Sequence, residues 1–209
     1  MPDLKLKDVR LSFPTLGEPE YYQGKKQRPD DQRRWSGTFL IPTGSPMKEQ
    51  IEEVMKEVAK AKWGAKWEAV WNALDGDTKL SCFTDGKKKA YEGYQGHWAL
   101  TSHRKESEGR PGVFDTDRSP IFYGKNATGK DGEGPNDMYP GKAGRVYGGC
   151  YVNAHVNFWA QDNSNGKGIR CELVAIQRNR DGDAFSGGMA PDADQFDEIT
   201  EGADADDLS

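Results

Sequence analysis

Between Cys150 and Trp159 the side chains alternate in kind. Cys150, Val152, Ala154, Val156 and Phe158 are wholly apolar, whereas Tyr151, Asn153, His155, Asn157 and Trp159 are rings separated by amides. In an extended strand successive side chains point to opposite faces, so the first set makes a core face and the second an outer one. Rings at every second or fourth residue suit stacking on flat bases, because every base offers a π surface whatever its identity. Eight steps at roughly 3.3 Å make this face about 26 Å long, comparable with the smallest sites of about four nucleotides per oligonucleotide-binding barrel. The competing reading is that a helix or a second subunit covers the stripe.

Other chemistry finds little support. Gly124-Lys-Asn-Ala-Thr-Gly129-Lys130-Asp131 misses the phosphate-loop pattern by one residue, the hydroxyl that would hold magnesium, and glycines and a proline follow where a helix should start. His97, His103 and His155 have no metal-ligand spacing to one another or to Cys82, Cys150 and Cys171. No serine sits in a Gly-x-Ser-x-Gly elbow. The three cysteines are far apart and odd in number, which fits reduced buried thiols better than disulfides. The expectation is a binding protein without catalysis, cofactor or metal.

The elements that would position the stripe are mostly strands. Val9, Leu11 and Phe13 alternate with Arg10 and Ser12 as a half-buried strand that Pro14 should end. A basic loop over residues 23–34 leads to a second strand, Trp35 to Pro42. Ser45 can cap a helix with Pro46 first, and Met47, Ile51, Val54, Met55, Val58 and Ala59 give it one apolar face. Trp63, Trp67 and Trp71 follow at helical spacing and read as packing onto the sheet. Strands are expected at 80–83, 94–101, 147–161 and 168–178, with short candidates at 113–114 and 121–123. The Lys87-Lys88-Lys89 run after Asp85-Gly86 is a solvated tip or a phosphate contact, and residues 124–144 read as a mobile glycine-rich loop.

Charge divides the chain of 209 residues unevenly. From Asp181 onward there are ten acidic side chains and no Lys or Arg, so the net −5 of the whole chain conceals a body of +5. A tail of that composition cannot bury enough apolar surface to fold. It would either solubilise the protein or compete for the body's cations. No apolar run approaches the length of a membrane span, and Met1-Pro2-Asp3-Leu4-Lys5 shows no secretory signal, so a cytoplasmic protein is expected.

Several segments in order resemble the phage-encoded single-stranded DNA-binding proteins. They are Val9-Arg10-Leu11-Ser12-Phe13, Gly37-Thr38-Phe39-Leu40-Ile41-Pro42, Gly96-His97-Trp98, Arg110-Pro111-Gly112-Val113, the stretch from Tyr147 to Phe158, Gly166-Lys167-Gly168-Ile169 and Arg180-Asp181-Gly182. The Gly149-Cys150-Tyr151-Val152-Asn153-Ala154 piece is the most specific. The resemblance implies a mainly β protein: an OB-fold-like antiparallel barrel over residues 1–180, a helical insertion at 46–74, and a disordered acidic C-terminal tail over 181–209. It also implies sequence-tolerant binding of single strands in phage replication or recombination, a homodimer, and a tail that recruits replication proteins such as a polymerase or helicase. The expected DNA-binding residues are Tyr151, Asn153, His155, Asn157, Trp159 and Trp98, with Arg10, Arg33, Arg34, Trp35, Lys87, Lys88, Lys167 and Arg170 around them. Asp204, Asp206, Asp207 and Leu208 are the expected partner-binding residues. The chain ends Asp206-Asp207-Leu208-Ser209 rather than in an aromatic, which leaves Leu208 or Phe196 to serve in its place. The alternative is a β-rich assembly protein whose aromatic stripe is a subunit interface; a nucleic-acid enzyme is the third class.

Overall fold

The computed structural model describes residues 1–74, 77–121, 145–164 and 166–185. Seven strands follow one another: β1 (Asp3–Glu20), β2 (Arg34–Pro42), β3 (Phe83–Asp85), β4 (His97–Lys105), β5 (Gly112–Phe114), β6 (Tyr151–Asn163) and β7 (Gly166–Arg180). Helices α1 (Met47–Trp63) and α2 (Trp67–Leu74) are inserted between β2 and β3. The strand order is β3-β4-β2-β1-β6-β7-β5, and a parallel bridge between His103 and Glu172 joins β4 to β7. That bridge closes β1, β2, β4, β7 and β6 into a five-strand barrel of the OB type. The short strands β3 and β5 are annexes on β4 and β7.

Alternation on β6 holds as expected: Cys150, Val152, Ala154, Val156 and Phe158 are all buried. They meet Leu6, Val9, Leu11, Phe39, Ile41, Leu100 and Leu173 inside the barrel. The apolar face of α1 supplies Ile51, Met55, Val58 and Ala59 to the same core, and Trp63, Trp67 and Trp71 pack against it half-buried. The helix starts at Met47, one residue later than expected, with Ser45 Oγ accepting from Met47 N at 3.3 Å. Cys82, Cys150 and Cys171 are free, buried thiols, and burial pushes Cys82 up to about 12. Among the described residues no helix is long and apolar enough to cross a membrane.

Strand β1 departs from its expectation. It does not end at Pro14 but runs to Glu20, through register shifts between Leu6 and Val9 and between Ser12 and Thr15. Asp8 and Phe13 take positive φ values of 50° and 46°, the local twist of a bulge. Pro14 falls inside the second bulge, where its missing N–H interrupts no ladder. The bulge turns Phe13 outward, 54% exposed, so it is not the core residue its alternation with Leu11 suggested.

Two other boundaries shift. Residues 147–150 form a tight turn rather than the start of β6, with Gly149 N donating to Leu11 O at 2.7 Å. Gly149 has φ +111°, and a Cβ there would lie 2.1 Å from Asp183 O. Tyr94 does not lie on β4; it closes a small outer cluster with Leu40 and Ala99. Ile121 is buried, while the rest of the 121–123 candidate, the 124–144 loop and the tail beyond Phe185 lie outside the described residues.

Candidate nucleic-acid interface

On the outer surface of β1, β2 and β4 the register stacks rows of side chains. Arg10 faces Leu40 and Ala99; Ser12 faces Thr38 and Thr101; Ser36 faces His103; Arg34 faces Lys105. The upper rows are covered by Tyr94, which is 1% exposed. Its burial pushes the phenol up, and hydrogen bonds with Ser12 and Thr38 pull it partly back. Over Tyr94 lie two further rings. Phe13 and Tyr91 meet edge to face at 4.9 Å, and each contacts Tyr94, at 6.3 and 5.3 Å. Phe13 and Tyr91 are 54% and 51% exposed, and Lys89 reaches the Tyr94 ring at 5.9 Å.

At the other end of the face Tyr22 stands 58% exposed with the Arg34 guanidinium 5.0 Å from its ring. Between the two aromatic ends lies a cluster of cations from three strands. Burial draws both Arg34 and Arg170 down, and Arg34 also feels Arg170 directly. His103 is held at about 4 by burial first, then by Arg34, Arg170 and Lys105. Neither Arg34 nor Arg170 has an ion pair with a described residue; Arg170 Nε donates only to Gln161 Oε1, at 3.1 Å. Asp31 acts on Arg34 and Asp77 on Arg170 from a distance, without forming an ion pair with either. From Thr38 to Arg34 is about 13 Å of strand, or about four stacked nucleotides at roughly 3.4 Å each.

The expected residues divide between this face and other places. Arg34 and Arg170 are on it, and Trp159 borders it as the cross-strand partner of Arg170. The rest of the β6 stripe is engaged within the body. Tyr151 is capped by the Arg180 guanidinium at 3.4 Å, and Arg180 is itself paired with Asp8. Asn153 Oδ1 accepts from Asp8 N at 3.1 Å and its Nδ2 donates to Gln177. His155 pairs with Asp3, and Asn157 Nδ2 donates to Glu172 Oε2. This stripe is half-buried and hydrogen-bonded rather than an open stacking platform.

Four more expected contacts are occupied. Trp35 is buried, its Nε1 donating to Gly17 O at 2.8 Å. Arg33 is held by Glu106 and Lys167 by Asp162. Trp98 stacks on Phe83 at 5.3 Å on the side of the helical insertion. Lys87 and Lys88 are exposed on the turn after β3, and Lys88 lines a groove with Trp71 and Trp98 rather than the cationic face.

Arg10 holds the root of the tail. Its Nη2 donates to Asp183 O at 2.7 Å, its Nε to Gly149 O at 3.2 Å, and its guanidinium lies 4.2 Å from the Phe185 ring centre. Tyr147 Oη bonds to Asp181 and Gly182, and Phe185 N donates to Gly148 O. Residues 181–185 are therefore a strap on the body, five residues past the Arg180 boundary expected from the sequence. The strap ends against Leu40, Tyr94 and Ala99, beside the exposed rings.

Phe13, Tyr22, Tyr91, His103 and Lys105 lie on this face without being among the residues expected to bind DNA. Pro14 behind Phe13 signals a break in the alternation, and Tyr22 directly precedes the basic loop, but nothing local places them on one face.

A closed five-strand barrel of this strand order is an oligonucleotide-binding type of fold. Residues 3–208 match the family model described as Enterobacter phage Enc34, ssDNA-binding protein. The chain belongs to that family. Putative protein p50 of Acyrthosiphon pisum secondary endosymbiont phage 1 is 35% identical over 199 residues, 94% of each chain. The single-stranded DNA-binding protein from bacteriophage Enc34 has a similar structure, with TM-score 0.63 and 23% identity over 93% of this chain and 90% of that one. Its complex with ssDNA compares at TM-score 0.63 and 22% identity, covering 88% of this chain and 89% of that one. Gp2.5, a single-stranded DNA-binding protein encoded by bacteriophage T7, compares at TM-score 0.52 and 11% identity over 92% and 98%. At these identities the solved structures share the fold.

Proposed function

We propose that this protein binds single-stranded DNA without strong sequence preference and protects or organises it during phage replication or recombination. The strand lies over β1, β2 and β4, with bases on Phe13, Tyr91 and Tyr22 and phosphates on Arg34, Arg170 and Lys105. The observation that carries this reading is the exposure of those rings. Apart from Met1 they are the large exposed hydrophobics among the described residues, and Tyr22 stands beside Arg34, which has no ion pair with a described residue. Trp159 extends the path toward the β6–β7 hairpin. The protein acts in the host cytoplasm, as a homodimer without enzymatic turnover, and the segment with Asp204, Asp206, Asp207 and Leu208 recruits a polymerase or helicase.

Base stacking on an aromatic contributes about 1–3 kcal/mol per base. Replacing both Phe13 and Tyr91 with Ala should weaken oligo-dT binding at least tenfold, while Asn153→Ala on the satisfied β6 face should change it less than about threefold. Unchanged affinity in a folded double variant would remove the face from consideration.

A further inference from the structure

We propose that Arg34, His103 and Arg170 form one pocket for a backbone phosphate of the single strand, and that His103 takes up a proton as the phosphate enters. The inference rests on the reading of the β1–β2–β4 face as the strand-binding surface and goes beyond it by making binding proton-linked. Three strands carry these side chains on one face: Arg34 of β2 pairs with Lys105, two residues beyond His103 on β4, and Arg170 of β7 stands two residues before Glu172, the bridge partner of His103. The groups facing the imidazole are Arg34, Lys105 and Arg170, all cationic, and Glu172, its bridge partner. Glu172 is engaged elsewhere, accepting from Arg104 Nη1 at 2.7 Å and from Asn157 Nδ2 at 3.4 Å. Tyr22 and Asp31 approach Arg34 from the 21–33 loop, and Asp31 is occupied by the N–H groups of Gln27 and Arg28.

In the free protein burial first, and then Arg34, Arg170 and Lys105, hold the imidazole neutral, at about 4. A phosphodiester between the three side chains offsets the cations' share of that effect, because an anion favours the protonated ring. The bound pKa then rises, a proton is taken up, and affinity increases as pH falls through the neutral range. If the bound imidazole returns to its ordinary value of about 6.5, affinity should rise roughly tenfold from about pH 7.5 to about pH 5.5.

The test is titration calorimetry of the full chain with oligo-dT, whose bases do not titrate in this range, in buffers of different ionisation enthalpy near pH 6.5. The expected result is uptake of about half a proton per site, lost in His103→Gln, with His103→Lys binding tightly at every pH. Absent uptake, or uptake that persists in His103→Gln, overturns the inference. Should the variant fold poorly, the His103 ring resonances of the unmodified protein are titrated with and without oligo-dT, and an unmoved midpoint overturns it equally. Arg34→Gln with Arg170→Gln separates the two levels. Unchanged affinity there removes the face itself, whereas weakened binding with no proton uptake in the unmodified protein removes only the role of His103.

Discussion

Truncating the chain after Phe185 and after Arg180 should give two different proteins. The first removes eight of the ten tail carboxylates and leaves the strap in place, changing the net charge from −5 to +3. A tethered segment works at an effective concentration of about 1 mM. Eight tethered carboxylates competing for the cationic face with a local Kd of about 0.1–1 mM would weaken apparent strand binding by about two- to tenfold. Truncation after Phe185 should recover that factor at low salt. It should lose the advantage near 1 M salt, where the Debye length is about 3 Å.

Truncation after Arg180 removes more than charge. It deletes the acceptor of Arg10 at Asp183, the bond from Phe185 to Gly148 and the ring packed beside Leu40, Tyr94 and Ala99. Each hydrogen bond contributes about 0.5–1.5 kcal/mol net, and the ring about 1 kcal/mol for half-burial. A loss of about 3 kcal/mol lowers the melting temperature by roughly 6–12 °C for a domain of this size. Thermal unfolding and fluorescence titration with oligo-dT over a salt series read both effects. Equal melting temperatures for the two truncations would show that the strap holds nothing. Equal low-salt affinity of the full chain and the Phe185 truncation would refute the competition between tail and strand.

Three further outcomes follow from the same geometry. Phe158→Ala, at a site with no exposure, should destabilise by about 3–5 kcal/mol in urea unfolding, whereas Phe13→Ala should cost less than about 1.5 kcal/mol because half its surface is already in water. Converting Arg34 and Arg170 together to Gln should flatten the salt dependence of oligo-dT binding by about 0.7 in log–log slope, since the two hold one phosphate and each phosphate neutralised on a single strand contributes about 0.7; an unaltered slope would place the phosphates elsewhere. Cys82, Cys150 and Cys171 should resist a water-soluble thiol reagent at pH 8 until the protein unfolds, because burial raises all three thiols; rapid modification of the native chain would contradict their burial.

What could be read from the sequence was whatever repeats with a local period. The apolar half of β6 and the buried stripe of α1 follow from spacings of two and about 3.6 residues, and both are observed. The outer half of β6 was legible as a face but not as a surface, because its covers arrive from elsewhere: Arg180 and Asp8 over Tyr151, Asp3 on His155, Glu172 on Asn157. Phe13 was misplaced for a different reason. A single positive φ reverses the side-chain alternation, and nothing in Leu11-Ser12-Phe13 announces it except the proline that follows. The cationic pocket depends on neither period nor neighbour. Arg34 and Arg170 lie at opposite ends of the chain and meet only because one parallel bridge closes the barrel. The arginines that looked alike in sequence are thereby sorted by their surroundings. Arg33 is paired with Glu106, Arg10 is spent on the strap, and Arg34 and Arg170 have no ion pair with a described residue. The strap follows the same logic: Arg10 of β1 and Gly148 before β6 hold residues 183 and 185 across the barrel, so Phe185 comes to lie against Leu40, Tyr94 and Ala99, which no local spacing foretells.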